Sequence, residues 1–271
     1  MTQADLTVSR VRHPLKMRML QVARVQRVST LMARITLTGE DLRGFVSASF
    51  DDHVKVYFPT DGASVPSLPS VGPDGISFAE GAPRPAARDY TPRRYDPQAL
   101  ELDIDFVLHG DGPAATWAAQ AQAGQMLGVG GPRGSFVVPT AFDWHLLIGD
   151  ETALPAIARR LEELPAGSRA MALIEVPDAT AETALPGSAH ASLRWLHRNG
   201  IEAGRSNLLE QAARELVLPE GQGYVWVAAE SVAARAVREL MVTLHGIDKS
   251  RIRAASYWKR GAAAVHETHE S

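Results

Sequence analysis

Cysteine is missing from all 271 residues. That excludes disulfides, thiolate zinc sites, cysteine-ligated iron–sulfur clusters and dithiol redox centres, so electron chemistry here would need a bound organic cofactor or a borrowed metal. Long apolar runs are missing too. No segment approaches the roughly 18 apolar residues of a membrane span, and the stretch from Met1 to Met19 is polar, without the apolar core of a signal peptide. A cytoplasmic protein with no membrane partner is expected. Nor is there a large excess of either charge: net charge is −3 and the pI is about 6.3. Nothing global points to nucleic acid or an anionic surface, so any basic site must be local. No two of the nine histidines stand in HExxH spacing, and His266 and His269 lie in a polar tail. No intrinsic metal site is expected.

What is present reads as two textures. Residues 17–140 carry short alternating runs broken by Gly and Pro, as in Met19–Val28, Met32–Leu37, His53–Phe58 and Leu100–His109. This pattern predicts a six-stranded antiparallel β-barrel with one short helix beginning at Pro113. The remainder alternates buried strand and helix. His145–Ile148, Ala170–Val176, Ser192–Leu196, Tyr224–Ala229 and Ile252–Trp258 read as strands, the last of them final; Leu154–Leu164, Asn207–Glu215 and Val232–Leu244 read as helices. That order predicts an α/β domain with a mostly parallel sheet. The boundary falls near Pro139–Asp143, giving domains of residues 1–140 and 141–271.

The densest chemistry is Arg88-Asp89-Tyr90-Thr91-Pro92-Arg93. A ring, a hydroxyl and two guanidinium groups within six residues suit a flavin: Tyr90 can lie on the isoalloxazine, Thr91 can bond its polar edge, Arg93 can grip the pyrophosphate and Arg88 can support the loop. Alone, the run reads equally as a turn with a buried Tyr and two solvated arginines. Pro113 starts a helix whose first-turn amides at Ala114, Ala115 and Thr116, with the Thr116 hydroxyl, could meet phosphate. Lys55 lies on an otherwise apolar strand and shares a side with His53 and Tyr57, and a Lys there needs solvent or an anion. Gly131-Pro132-Arg133-Gly134 presents one cation on a rigid turn. Gly149-Asp150-Glu151-Thr152-Ala153 sits where a strand enters a helix, the place where open α/β sheets bind nucleotides, although Asp150 and Glu151 would repel phosphate directly. Arg159 and Arg160 could face a 2′-phosphate, but a solvated helix face is the leading reading.

These motifs, with Leu108-His109-Gly110-Asp111-Gly112-Pro113 leading to Trp117 and the ending Tyr257-Trp258-Lys259-Arg260-Gly261, occur in an order that resembles the siderophore-interacting proteins. These are FAD-dependent ferric-siderophore reductases of the ferredoxin–NADP reductase superfamily. Ala228-Ala229-Glu230 departs from the usual Ala-Gly-Glu, and Ser256 stands where Gly is common. The resemblance implies FAD as cofactor, held by Arg88, Tyr90, Thr91, Arg93, His109, Ala114, Ala115, Thr116, Thr152 and Trp258. It implies NADPH or NADH as donor, bound around Asp150, Glu151, Ala153, Glu175 and Glu230. Lys55 and Arg133 are expected to attract an anionic ferric siderophore. Trp195-Leu196-His197-Arg198 also matches, either lining the nucleotide cleft or forming a surface loop. The implied reaction reduces Fe(III)-siderophore and releases Fe(II). Two alternatives stand beside it: electron exchange with a ferredoxin-type protein, and redox-silent siderophore binding.

Overall fold

Strand β9 (Glu101–Val107) shows how the first half folds. Leu102, Ile104 and Phe106 point into the core, while Glu101, Asp103 and Asp105 alternate on the other face. Each acid meets a partner across the sheet. Arg24 binds Glu101 through two bonds of 2.6 and 2.7 Å, Arg34 binds Asp105 at 2.7 and 2.8 Å, and Asp103 accepts from Thr36 at 2.6 Å and Arg94 at 2.7 Å. Asp103 and Asp105 are buried, so these partners offset a desolvation that would otherwise oppose folding.

The computed structural model describes residues 5–60, 62–73, 75–108, 112–185, 187 and 190–262, and the backbone of 267–269. The chain divides into two units, Val8–Val138 and Pro139–Ser271, and residues 5–7 group with the second. The first unit contains β1 (Ser9–Arg12), β2 (Met17–Arg27), β3 (Met32–Thr38), β4 (Val54–Tyr57), β5 (Ser70–Gly72), β6 (Gly75–Ser77), β7 (Ala87–Tyr90), β8 (Arg94–Asp96), β9, helix α1 (Pro113–Ala119), β10 (Met126–Gly130) and β11 (Gly134–Val137). Seven strands form one antiparallel sheet in the order β7-β4-β10-β2-β3-β9-β8, while β1 pairs with β11 and β5 with β6. The expected six-stranded closed barrel is therefore corrected to a curled, seven-stranded half-barrel. Its edges β7 and β8 are consecutive in the chain, with Thr91, Pro92 and Arg93 between them. That link spans at most about 14 Å, so the sheet must curl to bring its edges near one another. No ladder closes them. Pro92 has no N–H, and the Arg93 amide is spent on the Asp103 carbonyl at 2.9 Å.

The second unit contains β12 (Trp144–Asp150), α2 (Leu154–Glu163), β13 (Arg169–Val176), β14 (His190–His197), α3 (Leu208–Arg214), β15 (Gly223–Glu230), α4 (Ser231–Thr243), β16 (Ile252–Trp258) and β17 (Glu267–His269). The sheet order is β14-β13-β12-β15-β16-β17, parallel throughout except for antiparallel β17. Strands β12 and β15 are buried along their whole length, as central strands covered on both faces must be. Two expectations change here. The expected strand Ser192–Leu196 extends over His190–His197, and Ile252–Trp258 is not the last strand because the backbone of 267–269 pairs with it. A third concerns α2: Arg159 pairs with Glu163, but Arg160 is buried rather than solvated and donates to the Pro139 carbonyl at 2.9 Å.

Candidate functional site

The run Arg88–Arg93 occupies the open seam of the half-barrel, from β7 into the link to β8. Thr91 and Arg93 are buried, while Arg88 and Tyr90 are partly exposed. The Tyr90 ring packs on Phe106 of β9, with centroids 4.3 Å apart, and Phe106 in turn meets Trp117 of α1 at 5.9 Å. This aromatic layer brings α1 to the same end of the unit as the motif. Burial pushes the Tyr90 phenol far above its ordinary range, so it remains a neutral hydroxyl. The Arg93 guanidinium faces Asp105 at 3.9 Å. In α1, Ala114 is buried and Ala115 partly so. The Thr116 amide closes the first turn on the Gly112 carbonyl at 2.9 Å, which corrects its expected availability and leaves its hydroxyl. His109 lies outside the described residues.

Lys55 of β4 stands opposite Asp89 of β7 and Gly130 of β10. The turn after β10 carries Arg133, which is exposed. Gly131, at φ +92°, takes the left-handed conformation that starts this turn. Arg18 anchors the turn by donating to the Gly131 carbonyl at 2.7 Å, and the His13 amide donates to the Arg133 carbonyl at 2.9 Å. Sequence reasoning did not single out Arg18, whose partner is 113 residues away.

In the second unit the residues expected to bind nucleotide gather at the carboxyl ends of β12, β13 and β15. Asp150, Glu151, Ala153, Glu175 and Glu230 are all buried. The Asp150 carboxylate accepts from the Thr152 amide at 2.9 Å and hydroxyl at 2.5 Å, from the Glu230 amide at 3.1 Å and from the Trp258 indole at 2.8 Å. Burial, and then neighbouring Glu151, push its carboxyl well above the usual carboxylate range. A Cβ at Gly149 would overlap the Ala153 methyl and the Ala228 carbonyl, so this strand end requires glycine. Glu151 does not face the cleft as an unpaired repelling charge. Arg198 binds it through two 2.7 Å bonds and reaches Glu175 at 3.3 Å, and Glu175 also accepts from Ser206 at 2.5 Å. Arg198 is therefore the buried centre of an acidic cluster and not a surface-loop residue, while His197 pairs with Glu182 at 2.7 Å. Among the described residues no group of His, Asp and Glu is arranged to hold a metal.

Two family profiles match, one for a siderophore-interacting FAD-binding domain over residues 21–136 and one for siderophore-interacting protein over residues 142–261. The chain belongs to the siderophore-interacting protein family. Within it, the chain is 39% identical over 255 residues to the NADPH-dependent ferric-chelate reductase of Escherichia coli, covering 92% of this chain and 95% of that protein. It is 36% identical over 255 residues to the ferric vibriobactin reductase ViuB of Vibrio cholerae, at 92% and 93% coverage. A siderophore utilization protein from T. fusca superposes with a TM-score of 0.88 at 41% identity, covering 96% of this chain and 98% of that one. Profile and sequence matches alike span both units of this siderophore-interacting protein.

Proposed function

We propose that the protein is an FAD-dependent ferric-siderophore reductase that uses NADPH as donor, with FAD held by the first unit and NADPH by the second. The observation that carries this reading is the coincidence, in a member of this family, of the ring–hydroxyl–guanidinium run with the open seam of the half-barrel, α1 beside it. The donor set fits FAD. Tyr90 supplies an aromatic surface braced by Phe106, Thr91 a buried hydroxyl, Arg88 and Arg93 cations for a diphosphate, and Ala114 and Ala115 little bulk against the backbone.

When bound, FAD links the two-electron chemistry of NADPH to the one-electron reduction of ferric iron. The chain's own residues bind and orient. In the second unit, Arg198 removes the charge of Glu151 from the face a dinucleotide approaches, and Asp150 fixes Thr152 and Trp258. In the first, Lys55 and Arg133 draw in an anionic ferric chelate. Ferrous iron binds hard oxygen ligands less tightly, so reduction releases it. The donor implies a cytoplasmic setting. No described helix is long and apolar enough to cross a membrane.

The test is anaerobic. NADPH should bleach the bound flavin, and a ferric siderophore should restore its colour with formation of Fe(II). Arg93→Ala should purify with less FAD per chain; a fully yellow variant would remove Arg93 from the diphosphate site, and a wild type that NADPH leaves oxidised would overturn the reductase reading.

A further inference from the structure

The Lys55 ammonium is not presented alone. It lies 2.7 Å from the Asp89 carboxylate, and the two residues are direct neighbours across the β4–β7 ladder. The pair is not sealed in the core: Lys55 is 43% exposed and Asp89 24%. β7 is an edge strand, and the ammonium is the more open member of the pair, since the Asp89 oxygen that meets it is shielded from solvent. Along β4, Tyr57 shares the Lys55 face; burial raises its phenol above the ordinary range, the Arg133 charge opposes that and the Asp89 charge adds to it. Lys55, Asp89 and the buried Tyr57 phenol thus lie on one face of the sheet, within reach of the Arg133 charge. Asp89 is the middle residue of Arg88-Asp89-Tyr90, so β7 turns Arg88 and Tyr90 to one side and Asp89 to the other.

We propose that Asp89 is a positioning and specificity-determining residue: it holds Lys55 in an ion pair that only a strongly anionic ferric chelate can displace. The inference rests on the reading of Lys55 as a substrate-binding cation. A neutral chelate gains nothing by separating the pair and leaves it intact. A trianionic chelate attracts the ammonium more strongly than one carboxylate does, because the attraction scales with the product of charges. Once displaced, Asp89 stays close and negative, so it weakens retention of the anion it has admitted. The carboxylate therefore raises the charge a chelate needs in order to bind, and it favours release.

The experiment uses the FAD-loaded enzyme with NADPH and two iron probes, a trianionic ferric tris-catecholate and a neutral ferric trihydroxamate. The readout is the ratio of their KM values, with kcat recorded separately. Both chelates are read on one preparation, so incomplete flavin loading cancels. Asp89→Asn should lower KM for the trianion relative to the neutral chelate by about fivefold, the size of one exposed ion pair. Asp89→Ser should act in the same direction, and Asp89→Glu should return the wild-type ratio. In a Lys55→Ala background the Asn substitution should change the ratio less, because only the direct repulsion between Asp89 and the trianion is left to remove. If Asp89→Asn and Asp89→Ser shift both KM values equally, or change the ratio as much without Lys55 as with it, the inference is overturned while the substrate role of Lys55 stands. If Lys55→Ala itself leaves KM for the trianion unchanged, the substrate reading beneath it fails instead.

Discussion

Arg198 takes three charges out of water together. Glu151 and Glu175 are buried with it, and its pairing with them outweighs the burial that alone would favour its neutral form. Such a cluster stabilises little compared with an apolar replacement of all its members, but losing one member strands the others. Arg198→Met should therefore cost about 3–5 kcal/mol of stability. Urea unfolding followed by tryptophan fluorescence suits this test, because four of the five tryptophans, Trp144, Trp195, Trp226 and Trp258, lie in the second unit and only Trp117 in the first. Glu151→Gln added to Arg198→Met should recover part of the loss, since it removes a stranded charge. A loss below about 1 kcal/mol would show that water reaches the cluster. The sequence could not reveal this burial. Arg198 follows a strand that reads as short, and its partners stand 47 and 23 residues away, so local polarity left a cleft residue and a surface loop both open. Arg160 was misread for the same reason: helical periodicity does not report that the second unit has a carbonyl, that of Pro139, waiting in its interior.

Elements were legible where a period repeats. The alternation in β9 named its core side chains, and the strand–helix alternation after residue 143 named the parallel sheet. The ends were harder. Helix α4 is capped by Glu230, whose carboxylate accepts from the Val232 amide at 2.6 Å and the Ala233 amide at 3.4 Å. Glu is outside the usual N-cap set of Ser, Thr, Asp and Asn, so a start at Val232 was expected instead. The same carboxylate accepts from the Arg260 amide at 3.2 Å, tying the helix start to the segment after β16. Glu230→Ala should thus destabilise by about 1–2 kcal/mol, the upper part of the range for a lost cap. Glu230→Gln retains an acceptor oxygen and should lose less. Equal losses in the two would mean that charge rather than hydrogen bonding holds the helix start. The seam between β7 and β8 was hidden for a different reason: strand content can be counted from alternation, but closure depends on which edges meet, and Pro92 and the spent Arg93 amide act only once the sheet has curled.

At the scale of the whole molecule, a net charge of −3 conceals charges of both signs sorted by place. Acids gather at the strand ends of the second unit and cations at the seam and turn of the first. Function was legible because that sorting is carried by short motifs in a fixed order; the pairing that tunes each charge was not, because it is made by distant strands. Stability against acid shows one consequence. His145 of β12 is buried in the second unit beside Arg160, 3.5 Å from its Nδ1, and burial followed by that cation lowers its pKa to about 4. Its unfolded value is about 6.5. Between these values the unfolded chain binds the extra proton, so the contribution of His145 is fully present above about pH 6.5 and is lost as pH falls toward about 4, by at most about 3 kcal/mol. Asp150 works against it. With its carboxyl raised, it favours the folded state at lower pH and loses that contribution as pH rises. Wild type should therefore show a shallower acid decline than His145 alone would give. His145→Gln removes one of the two opposing slopes and should leave the second unit gaining stability on mild acidification relative to wild type. Tryptophan-detected urea midpoints of both proteins from about pH 7 to about pH 4 measure the difference, and parallel curves would mean that His145 titrates in the folded state as it does in the unfolded chain.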